Sequence, residues 1–372
     1  SIQMLLGILG GGQLGRMLAF AALRMGLDVR FLVNEPSDSV ACFADVTVAD
    51  WNDPDVLRAF ADGCDAVTVE SEWAPADRLA EAAPGVAVWP SPETLHLVQN
   101  KGRQREAFAH LPQPEYVWAR TYDEAEAALE TLGLPLVAKR LEGSYDGYGN
   151  ATVREADALR AAWDALATDD GLLLEAFVPF EAEAAVIVCR GDGDGVVYPM
   201  LFTEQRDHRC HAVAVPSGFS ASVEQKAREV AMACATALGV RGLLAVELFV
   251  TSDGEVLVNE VAPRPHNSGH LTIEACVTSQ FENHARAVLG LPLGASDLRV
   301  PAAAMVNVFG HTDGPIRLDS LPSALEPLGP TIHLYGKRTS RPRRKLGHVT
   351  ATAAAAAEAY ATASEAAARL RL

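Results

Sequence analysis

The first hundred residues alternate short apolar runs with segments of helical period, and no other feature limits the possible folds as tightly. Met4 to Leu9, Val29 to Val33, Ala66 to Val69 and Val86 to Trp89 read as strands, with helical patterns between them at Gln13 to Met25 and Asp53 to Ala61. Strands separated by helices predict a parallel sheet, because each crossover carries the chain back to the same end of the sheet and lays its helix on a face. The N-terminal domain is therefore expected to be doubly wound, with both faces covered. Gly10-Gly11-Gly12-Gln13-Leu14-Gly15 follows the first strand and opens a helix, so its glycines can admit a phosphate close to backbone amides. Glu35, at the end of the second strand, could accept ribose hydroxyls. These residues alone leave open a dinucleotide, another phosphorylated ligand and a purely structural turn.

The pattern then changes. Helical stretches near Gln99 to His110 and Tyr122 to Thr131 lead to strands at Leu134 to Arg140, Ala151 to Arg154, Gly171 to Glu175, Ala182 to Arg190 and Val196 to Met200, followed by a helix from Val223 to Leu238. Such a run predicts an α+β middle domain with antiparallel strands and helices on one side. Turn residues after Leu289 mark a boundary. Beyond it lie strands near Ala303 to Val308, Thr331 to Tyr335 and His348 to Thr352, and the alanine-rich run Ala353 to Ala368, a helix by propensity.

A length of 372 residues, nearly half of them hydrophobic, suffices for two or three domains with their own cores. The net charge of −17 argues against a general nucleic-acid binder and against an anionic membrane surface. No apolar run is long enough to span a bilayer and the start lacks an export signal, so the expectation is a cytoplasmic protein. Six scattered cysteines without a Cys-x-x-Cys pair read as reduced thiols. His208, Cys210 and His211 lie close together, but no second cluster completes a metal site, and a polar loop or strand is the simpler reading.

The strongest chemical signal is a hairpin. Leu243 to Val250 and Glu255 to Glu260 read as strands joined at Ser252-Asp253-Gly254. With a two-residue Asp253-Gly254 loop, Glu247 falls directly opposite Glu260, roughly 5 Å apart at Cβ, where like charges repel. A divalent cation between the carboxylates removes the repulsion, and hard oxygen donors beside the Asn259 amide suit magnesium carried by nucleotide phosphates. The alternative is an edge hairpin whose two glutamates face water. Lys139 ends an apolar strand just before Gly143-Ser144-Tyr145-Asp146-Gly147-Tyr148-Gly149, a segment whose amides could close over phosphates; Lys101 is an earlier candidate. The segment lacks the Gly-Lys-Ser/Thr ending of a P-loop, and a lysine at a strand end is commonly just a snorkelling surface residue. Glu175 and Glu183 stand where a nucleotide's adenosine could be gripped or where strand ends are simply exposed. Lys337, Arg338, Arg341, Arg343, Arg344 and Lys345 form a basic island in an acidic chain, either a solvated face or a cover for an anionic substrate.

Taken in order, Gly10 to Met17, Ser144 to Gly147, Asn259 to His270 continuing through Thr278 to Glu282, and Arg341 to His348 resemble the 5-(carboxyamino)imidazole ribonucleotide synthetase family of ATP-grasp enzymes, over Met4 to about His348. The resemblance implies a pre-ATP-grasp α/β domain over residues 1–97, an ATP-grasp domain over 98–295 and a small β-rich C-terminal domain with a terminal helix over 296–372. It implies that ATP, with magnesium or manganese, phosphorylates bicarbonate to carboxyphosphate, and that the amine of aminoimidazole ribonucleotide is then carboxylated in purine biosynthesis. It also implies a homodimer.

Carried over by position, Lys101, Lys139, Glu175, Val178, Glu183 and Asn259 resemble the family's nucleotide site, with Gly143, Ser144, Gly147 and Gly149 over the phosphates. Glu247 and Glu260 match its metal ligands. Arg264, His266, Asn267 and Lys345 match residues around bicarbonate and carboxyphosphate, and Tyr145 and Asp146 those that orient the amine. Gln13, Leu14, Lys337 and Arg344 resemble the ribonucleotide phosphate site, and Glu70 and Glu72 fall on the ring side. Ser144 and Arg343 replace usual glycines, Tyr148 a usual basic residue and Gln205 a usual histidine. The alternatives are a formate-using transformylase or biotin carboxylase within the superfamily, and, outside it, a dinucleotide-dependent oxidoreductase or a catalytically silent nucleotide-binding module.

Overall fold

The computed structural model describes residues 3–144 and 147–372. Its first sheet runs Val46–Val48, Asp28–Val33, Leu5–Leu9, Ala66–Val69, Ala87–Val88, every pairing parallel. The helix Pro54–Ala61 begins where the Asp53 side chain accepts the Asp55 amide and Pro54 presets the first turn. It buries Leu57 and Phe60 with Leu79 against one face of the sheet. On the other face, Met17 and Leu18 of helix Gln13–Arg24 pack on Ile8 and Phe31, joined by Phe281, Ala285 and Val288 of the much later helix Gln280–Val288. The N-terminal sheet is thus closed partly by the middle of the chain. The predicted helix near Gln99 to His110 is the helix Lys101–Ala107, started by Asn100, whose side chain accepts the amides of Gly102 and Arg103; a further helix, Pro92–Gln99, precedes it without having been expected.

A second, antiparallel sheet runs Tyr116–Ala119, Leu172–Ala176, Leu136–Lys139, Asn150–Val153. The third sheet has nine strands. From the edge it runs Val256–Ala262, Gly242–Val250, Ala182–Arg190, Leu201–Arg206, Arg209–Val215, Ala302–Phe309, Lys345–Ala353, Thr331–Leu334, with Gly195–Val197 paired beside Ala182–Arg190. Helix Ala221–Leu238, capped by Ser220 and ended by Gly239 at φ 63°, covers one face. The predicted strand Val196 to Met200 is shortened to Gly195–Val197, and the hairpin Leu201–Val215 has no counterpart in the sequence reading. Its turn is Asp207-His208, both at positive φ (51° and 62°), a primed-turn geometry that usually announces itself with glycine. The C-terminal strands continue this sheet through the Arg209–Val215 and Ala302–Phe309 pairing. The terminal helix Ala356–Arg369 lies on it through Ala359, Ala363 and Ala366.

The Glu247–Glu260 hairpin reaches its expected pairing by an unexpected route. Nearest the turn, Val250 faces Val256, one residue out of the expected step, because the loop is three residues long, with Gly254 at φ 77° and the Thr251 amide bonded to the Glu255 carbonyl. A bulge at Asn259 restores the step, and Glu247 faces Glu260.

Candidate active site

A cleft of about 610 Å³ lies between the four-stranded sheet and the hairpin side of the nine-stranded sheet. Into it come Lys139 and Glu175 from adjacent strands of the smaller sheet, Glu183 and Glu247 from the larger, Asn259 and Glu260 from the bulged strand, and Glu72, Ser144, Gly147, Val178, Arg264 and His266 from connecting segments. The bulge puts the consecutive residues Asn259 and Glu260 on the same cleft wall, which a regular strand cannot do.

The charges in the cleft are interlocked. Glu175 is buried; one oxygen meets Arg105 at 2.7 Å and the other the Lys139 ammonium at 2.9 Å. Burial raises the Glu175 carboxyl, but Arg105 and Lys139 outweigh it and hold it at about 2. Lys139 also falls, but for it the shift disfavours the charged form: burial lowers it more than Glu175 holds it up. Both directions follow from one anion serving two cations, which stabilises the shared carboxylate and leaves Lys139 short of negative charge. Lys139 also donates to Asn259 Oδ1 at 3.2 Å. Lys101 meets Glu260 at 2.6 Å, and against burial Lys101 and Lys139 hold that carboxyl at about 2. Two anionic carboxylates on facing strands beside an amide oxygen are a hard-oxygen donor set that fits magnesium.

Arg105 is a site residue that sequence reasoning missed. Its guanidinium donates to the Val258 and Asn259 carbonyls, each at 2.8 Å, and so ties the bulge to Glu175. Its signal was the four-residue spacing from Lys101, which places both on one helix face. Also missed were the stacked rings of Phe180 and Phe249, 4.6 Å apart on the cleft wall, and Asn307. Asn267 and Asn307 exchange amide hydrogen bonds of 2.9 and 2.6 Å.

His266 is held at both backbone groups by the Gln280 side chain. Its Nδ1 accepts the Ser268 amide at 3.2 Å, so the neutral ring carries its proton on Nε2, which faces Glu247 at 3.6 Å. Burial, then Arg264 and Lys345, press His266 down to about 3. A ring that stays neutral is a hydrogen-bond donor in the cleft rather than a cation. Arg264 pairs with Glu72 at 2.7 Å.

A second group of predicted residues gathers at the N-terminal sheet. The amides opening helix Gln13–Arg24, expected to face a ligand phosphate, are taken by the chain's own Glu70: the Gly12 amide donates to it at 2.6 Å, and the amides of Leu14 and Gly15 lower its carboxyl against the larger effect of burial. A Cβ at Gly12 would collide with this carboxylate, so the glycine is needed to admit Glu70. With those amides bonded to Glu70, the motif does not offer them to a dinucleotide pyrophosphate, and Glu35 is exposed. Lys337 faces the same place; its ammonium donates to the Lys345 carbonyl at 2.6 Å, and burial with Arg344 and Lys345 brings it down to about 8. Arg344 is anchored on Thr339.

In the glycine-rich segment, Gly143, Gly147 and Gly149 all have positive φ, and Gly147 abuts His208 of the unpredicted hairpin. Tyr145 and Asp146 lie outside the described residues. Arg343, where the family resemblance leads one to expect glycine, has a left-handed backbone, φ 70°. Tyr148 is 67% exposed, and Gln205 lines the cleft.

Comparison with known proteins agrees along the whole chain. A ribonucleotide synthetase preATP-grasp domain matches residues 3–99, an ATP-grasp domain residues 105–281, and a phosphoribosylaminoimidazole carboxylase C-terminal domain residues 303–362. The N5-carboxyaminoimidazole ribonucleotide synthase of Mycobacterium tuberculosis is 40% identical, over 94% of this chain and 83% of that one. The phosphoribosylaminoimidazole carboxylase of Schizosaccharomyces pombe is also 40% identical, but the chain spans only 65% of its length. Among solved structures, carboxyaminoimidazole ribonucleotide synthase from Aspergillus clavatus complexed with ATP superposes with a TM-score of 0.88 at 34% identity, covering 99% of each chain. The same fungal enzyme has been crystallised with ADP and 5-aminoimidazole ribonucleotide. The chain belongs to the N5-carboxyaminoimidazole ribonucleotide synthase family of ATP-grasp enzymes.

Proposed function

We propose that this protein uses ATP to carboxylate 5-aminoimidazole ribonucleotide with bicarbonate, through carboxyphosphate, in purine biosynthesis. The observation that carries the proposal is one cleft in which Glu247 faces Glu260 while Lys139, Arg264 and His266 surround them, in a chain whose relatives bind ATP, ADP and 5-aminoimidazole ribonucleotide.

Lys101, Lys139 and the amides of Gly143, Ser144, Gly147 and Gly149 hold the nucleotide phosphates. Phe180 and Phe249 supply a flat apolar wall for the base, with Glu175, Val178 and Glu183 around the adenosine. Glu247 and Glu260 would hold magnesium, which would supply neutralisation of phosphate charge and polarisation of the transferred phosphoryl group. Arg264, His266, Asn267 and Lys345 gather bicarbonate and the mixed anhydride. His266, kept neutral with its proton on Nε2, donates to a developing oxyanion instead of taking a proton. Lys337, Arg344, Gln13 and Leu14 bind the ribonucleotide phosphate, Glu70 and Glu72 lie on the ring side, and Tyr145 and Asp146 orient the amine. Attack of that amine on the carboxyl carbon expels inorganic phosphate and leaves the carbamate. Exclusion of water matters here because the anhydride hydrolyses readily.

The domain limits 1–97, 98–295 and 296–372 are supported by the three family matches. The assembly we propose is a homodimer in the cytoplasm, read by sedimentation velocity; among the described residues no helix is long and apolar enough to cross a membrane. The activity is tested by ADP release with ATP, bicarbonate and 5-aminoimidazole ribonucleotide. Carbamate must form only when all three are present; its absence under those conditions, or equal turnover with formate or biotin, overturns the proposal.

A further inference from the structure

Away from the cleft, His333 and His348 face each other across the pairing of strands Thr331–Leu334 and Lys345–Ala353, and Glu274 reaches them from the helix Thr272–Ala275. One ligand atom from each of the three lies within 4.8 Å of the other two. His333 Nε2 sits 3.1 Å from the Glu274 carboxylate. His348 is fully buried, and its two nitrogens differ: Nδ1 bonds the Tyr335 hydroxyl at 2.7 Å, while Nε2 has no partner. A buried imidazole nitrogen without a hydrogen bond is costly and calls for an explanation. Thr350, two residues on and so on the same strand face, carries a second buried polar atom without a partner.

From this geometry we propose that Glu274, His333 and His348 form a transition-metal site, for zinc or a like divalent ion, separate from the nucleotide's magnesium. Imidazole donors select zinc, cobalt or nickel over magnesium. Two histidines and one carboxylate give three protein ligands and leave a fourth position for water. With Nε2 on the metal, Nδ1 of His348 carries the ring proton and donates it to the Tyr335 hydroxyl oxygen, which fixes the tautomer and the ring's orientation.

Tetrahedral ligands at roughly 2.0–2.1 Å lie roughly 3.3–3.4 Å from one another, so the cluster must contract. His333 now stacks on His348, with ring centres 4.4 Å apart. It stands on an edge strand and its side chain is 24% exposed, so it is the group free to swing out of the stack and converge. Metal would then clamp this edge strand to a helix that precedes it by some sixty residues, joining the C-terminal segment to the ATP-grasp segment.

The test uses the full chain, freed of metal by a chelator and kept in excess magnesium so that the acidic cleft is occupied. Titration with cobalt should give a saturable visible absorption that zinc abolishes, and zinc should raise the Tm. In His333→Ala, His333→Gln and Glu274→Gln, cobalt binding should weaken at least about 10-fold and the Tm rise should vanish, whereas Glu260→Gln should keep both. No saturable cobalt signal in the parent chain, or equal binding in folded His333→Ala and His333→Gln, overturns the site. Far-UV circular dichroism without metal identifies which variants are folded.

Discussion

Replacing Glu175 with glutamine tests the interlocked charges most directly. The carboxylate is buried, with Arg105 and Lys139 on its two oxygens, and its pKa falls from 4.5 to about 2. At about 1.4 kcal/mol per unit, that difference is worth on the order of 3 kcal/mol at neutral pH. The folded value lies below the unfolded one, so the contribution is fully present above pH 4.5 and disappears as the pH falls through about 2. Glu175→Gln should therefore lower stability by about 3 kcal/mol at pH 7, because it leaves two cations buried with one neutral acceptor. The gap between parent and variant should roughly halve between about pH 5 and pH 3, since over that range the carboxyl of the unfolded parent takes up a proton while the folded one keeps its charge. Urea unfolding of both chains across this range reads it as a change in midpoint. A gap below about 1 kcal/mol at pH 7, or one that is the same at pH 3, would falsify the assignment of Glu175 as the anion that holds Arg105 and Lys139.

Glu260→Gln should raise the magnesium needed for half-maximal turnover at least about 10-fold while the near-UV circular dichroism stays that of the parent; unchanged turnover across a magnesium titration counts against its proposed role. Arg343→Gly relieves a left-handed arginine, φ 70°, and should stabilise the protein by roughly 0.5–1 kcal/mol, the strain removed less the freedom glycine gains when unfolded; a lower Tm contradicts this. Lys337, at about 8, must take up a proton when a phosphate dianion binds, because the anion raises its pKa. The KM for 5-aminoimidazole ribonucleotide should therefore climb above that pH while the KM for ATP does not, and Lys337→Met should abolish the climb; a KM that is flat to pH 9 removes Lys337 from the phosphate site.

Regular segments were legible where local pattern and tertiary burial agree. Ala66–Val69 and Ala182–Arg190 are buried along nearly their whole length and were read to the residue. The hairpin Leu201–Val215 was not, because its tip, Glu204 to Arg209, is charged and its turn has neither asparagine nor glycine. Its positive φ values at Asp207 and His208 are imposed by the sheet rather than by local preference. The Glu247–Glu260 pairing was foreseen through two errors that cancel: a loop one residue longer than assumed, and a bulge at Asn259 that no local signal marks. Arg105 escaped because its partners, Glu175 and the Val258 and Asn259 carbonyls, are distant in sequence and meet only when two sheets close on each other. The opening glycine motif left its readings open for a similar reason, since the group that meets its amides is Glu70, on a different strand end.

The proposed assignments acquire a common logic from these pairings. Acidic groups of the cleft hold basic partners of the chain itself, Glu260 with Lys101, Glu175 with Lys139 and Glu72 with Arg264, while Glu247 faces the neutral His266. Magnesium arriving alone would have to displace Lys101 from Glu260 and leave an ammonium unpaired in a partly buried place. A bare triphosphate would draw off Lys101 and Lys139 and leave two glutamates facing each other without a cation. Only when metal and nucleotide arrive together does every charge exchange one partner for another, so the desolvation that makes isolated buried charges costly is never incurred. The Asn259 bulge sits at the hinge of this exchange. It turns the amide toward Lys139 and the next carboxylate toward Lys101, and Arg105 holds it in place. On the proposed assignments, a preference for metal-loaded nucleotide is thus expected from how the cleft's own charges pair, before any contact to the base or sugar is counted.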